Sequence, residues 1–250
     1  DKLGIYIHIP FCRSKCDYCD FYSLSGREGR MDHYQKALLA HLRETAPLTQ
    51  GIPVDSVYFG GGTPSFYGAK RLKELLATLH KLFQIEKDAE ITVECNPDSV
   101  DLRALCTLRK AGVNRLSLGM QSAQAEELAA IHRIHTPQQT DQAAGLARKA
   151  KFNNLSLDLI YGLPGQTMDS WKATVEHALS LIPQHLSCYG LKVEEGTPLF
   201  AVKDTADLPG DEEQADMYLQ TVEFLKQYGY AQYEISNFAK PGYASRHNLK

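Results

Sequence analysis

Residues 3–10, LGIYIHIP, alternate apolar and polar positions with a period of two, which sends successive side chains to opposite faces of a β-strand. Five further strand-like segments follow: SVYFGGG (56–62), EITVECNP (90–97), RLSLGMQ (115–121), NLSLDLIYGLP (154–164) and HLSCYGLKVEE (185–195). Helical patterns fill the intervals near 31–46, 68–82, 101–111, 137–151 and 168–182, with a sixth at 211–228. Thr136-Pro137 and Asp211 to Glu213 read as helix starts, Gly112 and Gly229 as stops. Strand–helix alternation predicts a parallel sheet with right-handed crossovers. Six units are two short of a closed (β/α)8 barrel. The expected fold class is therefore α/β, a partial (β/α)6 TIM-like barrel with outer helices and an open side; a doubly wound open sheet is the alternative. With no Pro- or Ser-rich linker, residues 1–250 read as one domain, and 196–210 as a surface loop.

Composition narrows the function. At 250 residues and 43% hydrophobic, the chain is long enough for one large core. A net charge of −3 and a pI near 6.3 argue against a nucleic-acid partner bound through its phosphates. No apolar run approaches the ~18 residues of a membrane span, and DKLGIYIHIP is too short and too alternating for a signal peptide. Six cysteines do not make a disulfide scaffold, so the expected location is a reducing cytoplasm.

There CRSKCDYC (12–19) reads as metal or redox chemistry. Its cysteines, at 12, 16 and 19, follow Pro10 and Phe11 just beyond the first strand. A short irregular loop lets three thiolates converge on one centre. Zinc with His8 as fourth ligand is one alternative, although His8 lies inside the strand pattern. A Cys16–Cys19 redox pair is another, lacking a thioredoxin-like context. An iron–sulfur cluster fits better. Three thiolates on a four-iron cube leave one iron open to a small molecule, as a catalytic site needs. Cys95, Cys106 and Cys188 lie in regular patterns and are expected as small buried hydrophobes.

In barrel enzymes the chemistry gathers at the carboxyl ends of the strands. There the sequence places the thiols after the first strand, FGGGTPS (59–65) after the second, Glu94 late in the third, Gln121 ending the fourth and Asp158 on the fifth. The glycines suit close ligand approach or simply a tight turn. Glu94 within an apolar strand needs a partner, either a ligand or a salt bridge. Asp158 suits the two hydroxyls of a ribose. Gln121 binds ligand or caps a helix over 123–131. Arg133 is a candidate anion clamp, with a solvated charge as the alternative. His132 and His135 flank it and receive no role.

Taken together, CRSKCDYC and GGGTPS make the chain resemble the radical S-adenosylmethionine (SAM) superfamily. YIHIPFC (6–12), FGGGTPS, LGMQS (118–122), HRIHT (132–136), LDLIYGLPGQT (157–167) and YEISNFAKPGY (233–243) resemble the branch that holds the oxygen-independent coproporphyrinogen III oxidases and the radical SAM haem chaperones. The resemblance implies a [4Fe–4S] cluster on Cys12, Cys16 and Cys19, with SAM on the fourth iron. It implies SAM contacts at Tyr6, Tyr18, Gly61, Gly62, Thr63, Glu94, Gln121, Arg133 and Asp158, with a further one near Lys192. The superfamily's usual chemistry is one-electron cleavage of SAM to methionine and a 5′-deoxyadenosyl radical, which implies a low-potential electron donor.

Two departures from the oxidases favour the chaperones. Phe21 stands where the oxidases carry a further cysteine, and few residues precede the first strand. ASRHNLK (244–250) resembles the start of the haem-associated HNxxYW motif, making His247 a candidate axial haem ligand; an exposed histidine is the alternative. The motif is cut off after Lys250, which suggests a further C-terminal, substrate-side region. The expected function is therefore a chaperone that binds haem, cluster and SAM and delivers haem to client haemoproteins. The alternative is oxidative decarboxylation of coproporphyrinogen III propionates, or another radical SAM conversion of a tetrapyrrole.

Overall fold

The computed structural model of the chain describes residues 2–250. Its strands are β1 (Leu3–Ile9), β2 (Phe11–Cys12), β3 (Leu24–Ser25), β4 (Pro53–Gly61), β5 (Gln84–Cys95), β6 (Arg115–Gln121), β7 (Leu155–Tyr161), β8 (His185–Gly190), β9 (Ala231–Gln232) and β10 (Asn237–Ala239). Its α-helices are α1 (Met31–Thr45), α2 (Pro64–Tyr67), α3 (Ala69–Leu82), α4 (Leu102–Lys110), α5 (Ala125–Ala130), α6 (Pro137–Lys149), α7 (Met168–Ser180), α8 (Pro198–Ala201) and α9 (Asp211–Gln227). The main sheet runs β1-β4-β5-β6-β7-β8-β10-β9. Its first six members are mutually parallel, and β10 and β9 add an antiparallel edge after β8. This is the expected partial barrel of six strand–helix units. The alternation did not reveal the antiparallel edge, because strands of two and three residues carry no period.

Local chemistry sets the boundaries. Thr136 closes a capping box with Gln139 at the start of α6, and Asp101 Oδ1 accepts from Ala104 N at 2.7 Å to start α4. Gly112 and Gly229 end their helices in the left-handed region, at φ 109° and 82°. On α1, Met31, Gln35, Leu39 and Leu42 form one buried stripe; on α3, Leu72, Leu75, Leu76 and Leu79 do the same. These stripes pack on one face of the sheet, made of Ile7, Ile9, Val57, Phe59, Val93, Leu116, Leu157, Leu159 and Leu186. Cys95 and Cys188 are buried in that core and Cys106 packs against it, as expected.

Two expected boundaries move. The eighth strand ends at Gly190, so Lys192 lies in the following loop. The 196–210 segment is not a plain surface loop: α8 lies within it and its Leu199 is buried. Leu199 N donates to Asp17 O (3.0 Å), which fastens the segment to the cysteine loop. At the other end of the barrel, Ser245 Oγ and Arg246 N donate to Glu90 Oε1 (3.2 and 3.0 Å), while Lys250 Nζ pairs with Asp55 Oδ1 (2.9 Å). Residues 245–250 thereby pack back onto β4 and β5.

Candidate functional site

The face of the sheet away from those helices is polar. The register brings Glu94 beside Ser117, Gly119 beside Asp158, Asp158 beside Ser187, and Ser156 beside His185. Of these, Glu94, Ser117, Gly119, Asp158 and Ser187 line a cavity of about 490 Å³ that opens at the carboxyl ends of the strands. Cys12, Cys16, Cys19, Tyr18, Gly61, Gly62, Thr63, Glu94, Gln121, Arg133, Asp158 and Lys192 all line it. Tyr6 and His247 do not. Tyr6 is 48% exposed on β1, and its hydroxyl meets His8 Nδ1 at 3.0 Å.

The three thiols sit half-exposed on a loop held at both ends. Leu24 N donates to Pro10 O (2.6 Å), Asp17 N to Ile131 O (3.3 Å), and Cys19 N to Cys16 O (3.1 Å). Arg133 Nη1 donates to Cys16 Sγ (3.5 Å), and its Nη2 to Asn96 Oδ1 (3.0 Å) and Gly119 O (2.9 Å). Asn96 Nδ2 reaches Thr63 Oγ1 (3.3 Å), which donates to Cys12 Sγ (3.5 Å). One polar arc thus links two of the thiols, and Arg133 is no freely solvated charge. Among the described residues, no three His, Cys, Asp or Glu side chains are arranged to hold a single metal ion. His8 Nε2 meets Tyr22 O at 2.8 Å, and nothing here supports it as a fourth zinc ligand.

The glycine motif has intrachain reasons beside any ligand role. A Cβ on Gly62 would meet Ile9 O and Phe11 N at 2.8 and 2.9 Å, backbone atoms that cannot give way. Gly61 adopts φ 110° and donates its N–H to Glu94 Oε2 at 3.1 Å. Glu94 also accepts from Tyr58 OH at 2.8 Å, and among the described residues neither it nor Asp158 has a Lys, Arg or His nitrogen within ion-pair distance. The salt-bridge alternative therefore fails for both. Burial pushes Glu94 up to about 7, against the pull of Tyr58. Burial likewise raises Asp158, opposed by Ser117 Oγ, which lies 2.9 and 3.0 Å from its two oxygens.

Gln121 does not cap α5, which begins at Ala125 after an N-cap at Gln124. Its φ of 64° follows a break in register between Gly119 and Gln121, an uncommon conformation for a non-glycine residue. The backbone is bent where the side chain enters the cavity. His132 pairs with Asp17 (2.5 Å) and His135 is buried against Met120 O (3.1 Å), so neither faces the cavity centre. His247 lies flat on Tyr58, with ring centroids 4.7 Å apart and planes at 24°, and near Tyr6 at 5.9 Å. Its Nδ1 is buried without a partner.

The profile of the radical SAM superfamily matches residues 6–178. The chain belongs to that superfamily. Membership implies a [4Fe–4S] cluster and SAM as cofactors. Over 249 residues the chain is 40% identical to "Heme chaperone HemW" of Escherichia coli, covering 99% of this chain and 65% of that one. Over 247 residues it is 38% identical to the protein of the same name in Bacillus subtilis, covering 98% and 65%. The radical SAM enzyme coproporphyrinogen III oxidase (HemN) of E. coli superposes with a TM-score of 0.87 at 33% identity, covering 96% of this chain and 56% of that one. The chain thus spans about two thirds of the length of those curated relatives.

Motif reading missed part of this radical SAM cavity: Tyr58, Asn96, Arg115, Ser117, Ser187 and Tyr189 also line it. The signal that could have found most of them is the second set of the period-two alternation. In RLSLGMQ and HLSCYG, the residues that alternate with Leu116, Leu118, Leu186 and Cys188 are the ones that face inward.

Proposed function

We propose that the chain is one radical SAM domain of a haem chaperone, holding a [4Fe–4S] cluster and SAM and working in the cytoplasm on haem destined for client haemoproteins. The single observation that carries the reading is the convergence of three loop thiols with Glu94, Gln121, Arg133 and Asp158 on one cavity. The donor set suits the cofactors. Cys12, Cys16 and Cys19 would hold the cluster, their sulfurs steadied by hydrogen bonds from Thr63 and Arg133. When bound, the cluster supplies a low-potential electron and an iron site open to a chelating ligand. The Glu94 carboxylate, fixed by Tyr58 and the Gly61 N–H, would receive the amino group of SAM. Arg133 would neutralise its carboxylate, and Asp158 would accept from the ribose hydroxyls. Tyr18, Gly61, Gly62, Thr63 and Lys192 would enclose it. Tyr6 stands apart from the cavity and would act through its neighbour Tyr58.

The haem side rests on the relatives' names and on His247, whose buried Nδ1 leaves Nε2 as the nitrogen offered to iron. A low-potential electron donor is expected as a further partner.

The test pairs two measurements on anaerobically reconstituted full-length protein. Coproporphyrinogen III with SAM and reductant is expected to stay unconverted, while haem binds stoichiometrically. Protoporphyrinogen formation overturns the chaperone reading in favour of the oxidase. Iron content should fall to background in Cys12→Ala and stay unchanged in Cys106→Ala.

A further inference from the structure

Arg115 starts β6, is 2% exposed and lines the cavity. Among the described residues it has no carboxylate within 4.0 Å, and its Nε is buried without a hydrogen-bond partner. Glu94 and Asp158 feel its charge from beyond ion-pair distance, and a buried guanidinium without a directly bonded anion is costly. Two more orphans stand on the adjoining strands, Thr92 Oγ1 and Ser56 Oγ, both fully buried. Thr92 pairs across the sheet with Arg115 on one side and Tyr58 on the other. Both hydroxyls belong to the polar set of their strands, two and four residues before Glu94 and Gly60 on β5 and β4. Arg115 therefore lines the deep end of the cavity, on the amino-terminal side of the residues assigned to SAM, while the two hydroxyls lie behind it on the adjoining strands.

We propose that this deep end is a carboxylate-binding subsite, with Arg115 as the anion's partner. A monoanion fits better than a phosphate dianion, because Glu94 and Asp158 already place carboxylates in the same chamber. A guanidinium fork matches a carboxylate in shape as well as charge. Resting on the haem reading above, the carboxylate is a propionate of the bound tetrapyrrole, reaching inward past the cofactors.

The test uses full-length protein and two probes, coproporphyrin III and its tetramethyl ester, titrated by fluorescence quenching. Arg115→Met is expected to weaken the free acid at least tenfold and to leave the ester unchanged. Arg115→Lys should restore part of the loss. The melting temperature of the ligand-free protein should not fall in Arg115→Met, since the side chain has no ion pair to lose among the described residues. Equal effects on acid and ester, or a lowered melting temperature, overturn the subsite and make Arg115 structural. If the wild type binds neither porphyrin, the haem reading fails instead. Propionate at millimolar concentration then decides the subsite: a melting-point rise in the wild type that Arg115→Met abolishes upholds it, and no rise overturns it.

Discussion

The two faces of the main sheet are equally buried and chemically opposite. On the helix side stand Val57, Phe59, Val93, Leu157 and Leu186; on the cavity side, in the same strands, stand Ser56, Thr92, Ser156 and His185, all at or near zero exposure. The helix side needs only close packing, and any apolar side chain of the right volume serves. The cavity side must find a partner for each polar atom, and it does so unevenly. His185 is satisfied by Ser156 Oγ and Tyr233 OH, both at 2.7 Å, whereas Ser56, Thr92 and Arg115 are left with orphans. One face stores stability, and the other spends some of it to keep chemistry available.

The largest expected contrast is in stability. Phe59→Ala removes a fully buried ring from the helix side and should cost about 3–5 kcal/mol. Thr92→Val, across the sheet, replaces an unpartnered hydroxyl by a methyl. It should be neutral or stabilising by up to about 1 kcal/mol. Urea unfolding of the ligand-free protein measures both. Comparable losses would mean the two faces are held in the same way.

A smaller effect separates the faces by pH. The unfolded chain releases the Glu94 proton near 4.5, the folded chain only at about 7. The folded state therefore binds that proton more tightly, and the associated stability, present at pH 4.5, is lost as pH rises through 7. Buried His135 and His185, lowered to about 3 and about 2 by desolvation, act with the opposite sign: their stability is present above 6.5 and lost as pH falls. The clean readout is the difference between wild type and Glu94→Gln. It should be near zero at pH 5 and favour Glu94→Gln by on the order of 2 kcal/mol at pH 8. A difference that does not change with pH would show that Glu94 stays ionised throughout.

These contrasts also mark what the sequence could disclose. The strand–helix alternation, the capping residues Thr136 and Asp101, and the thiol spacing are local, and each was readable. Phe59 and Glu94 were readable as residues but not as faces, because GGG interrupts the alternation of β4 and a cysteine continues it on β5. Gln121 was ambiguous because its left-handed backbone is imposed by the register break with β7, a long-range event. Arg133 could be read as an anion clamp or as a solvated charge, because nothing nearby in sequence announces Asn96 or Cys16. Arg115 was passed over because an arginine at a strand start is usually an exposed flank.

Ser117→Ala is expected to have the smallest effect and is the most informative about the cavity face. Ser117 is the donor to Asp158, and its loss should push that carboxyl further up and cost about 1 kcal/mol. SAM affinity should fall, and more so at lower pH, where the variant carries more of the protonated carboxyl. If Ser117 acts through Asp158, the affinities of variant and wild type converge as pH rises, when both carboxyls are ionised, and diverge as it falls. Isothermal titrations at pH 6, 7.5 and 9 follow the gap. A gap that stays constant across that range would place Ser117 against the ligand itself rather than behind the carboxylate.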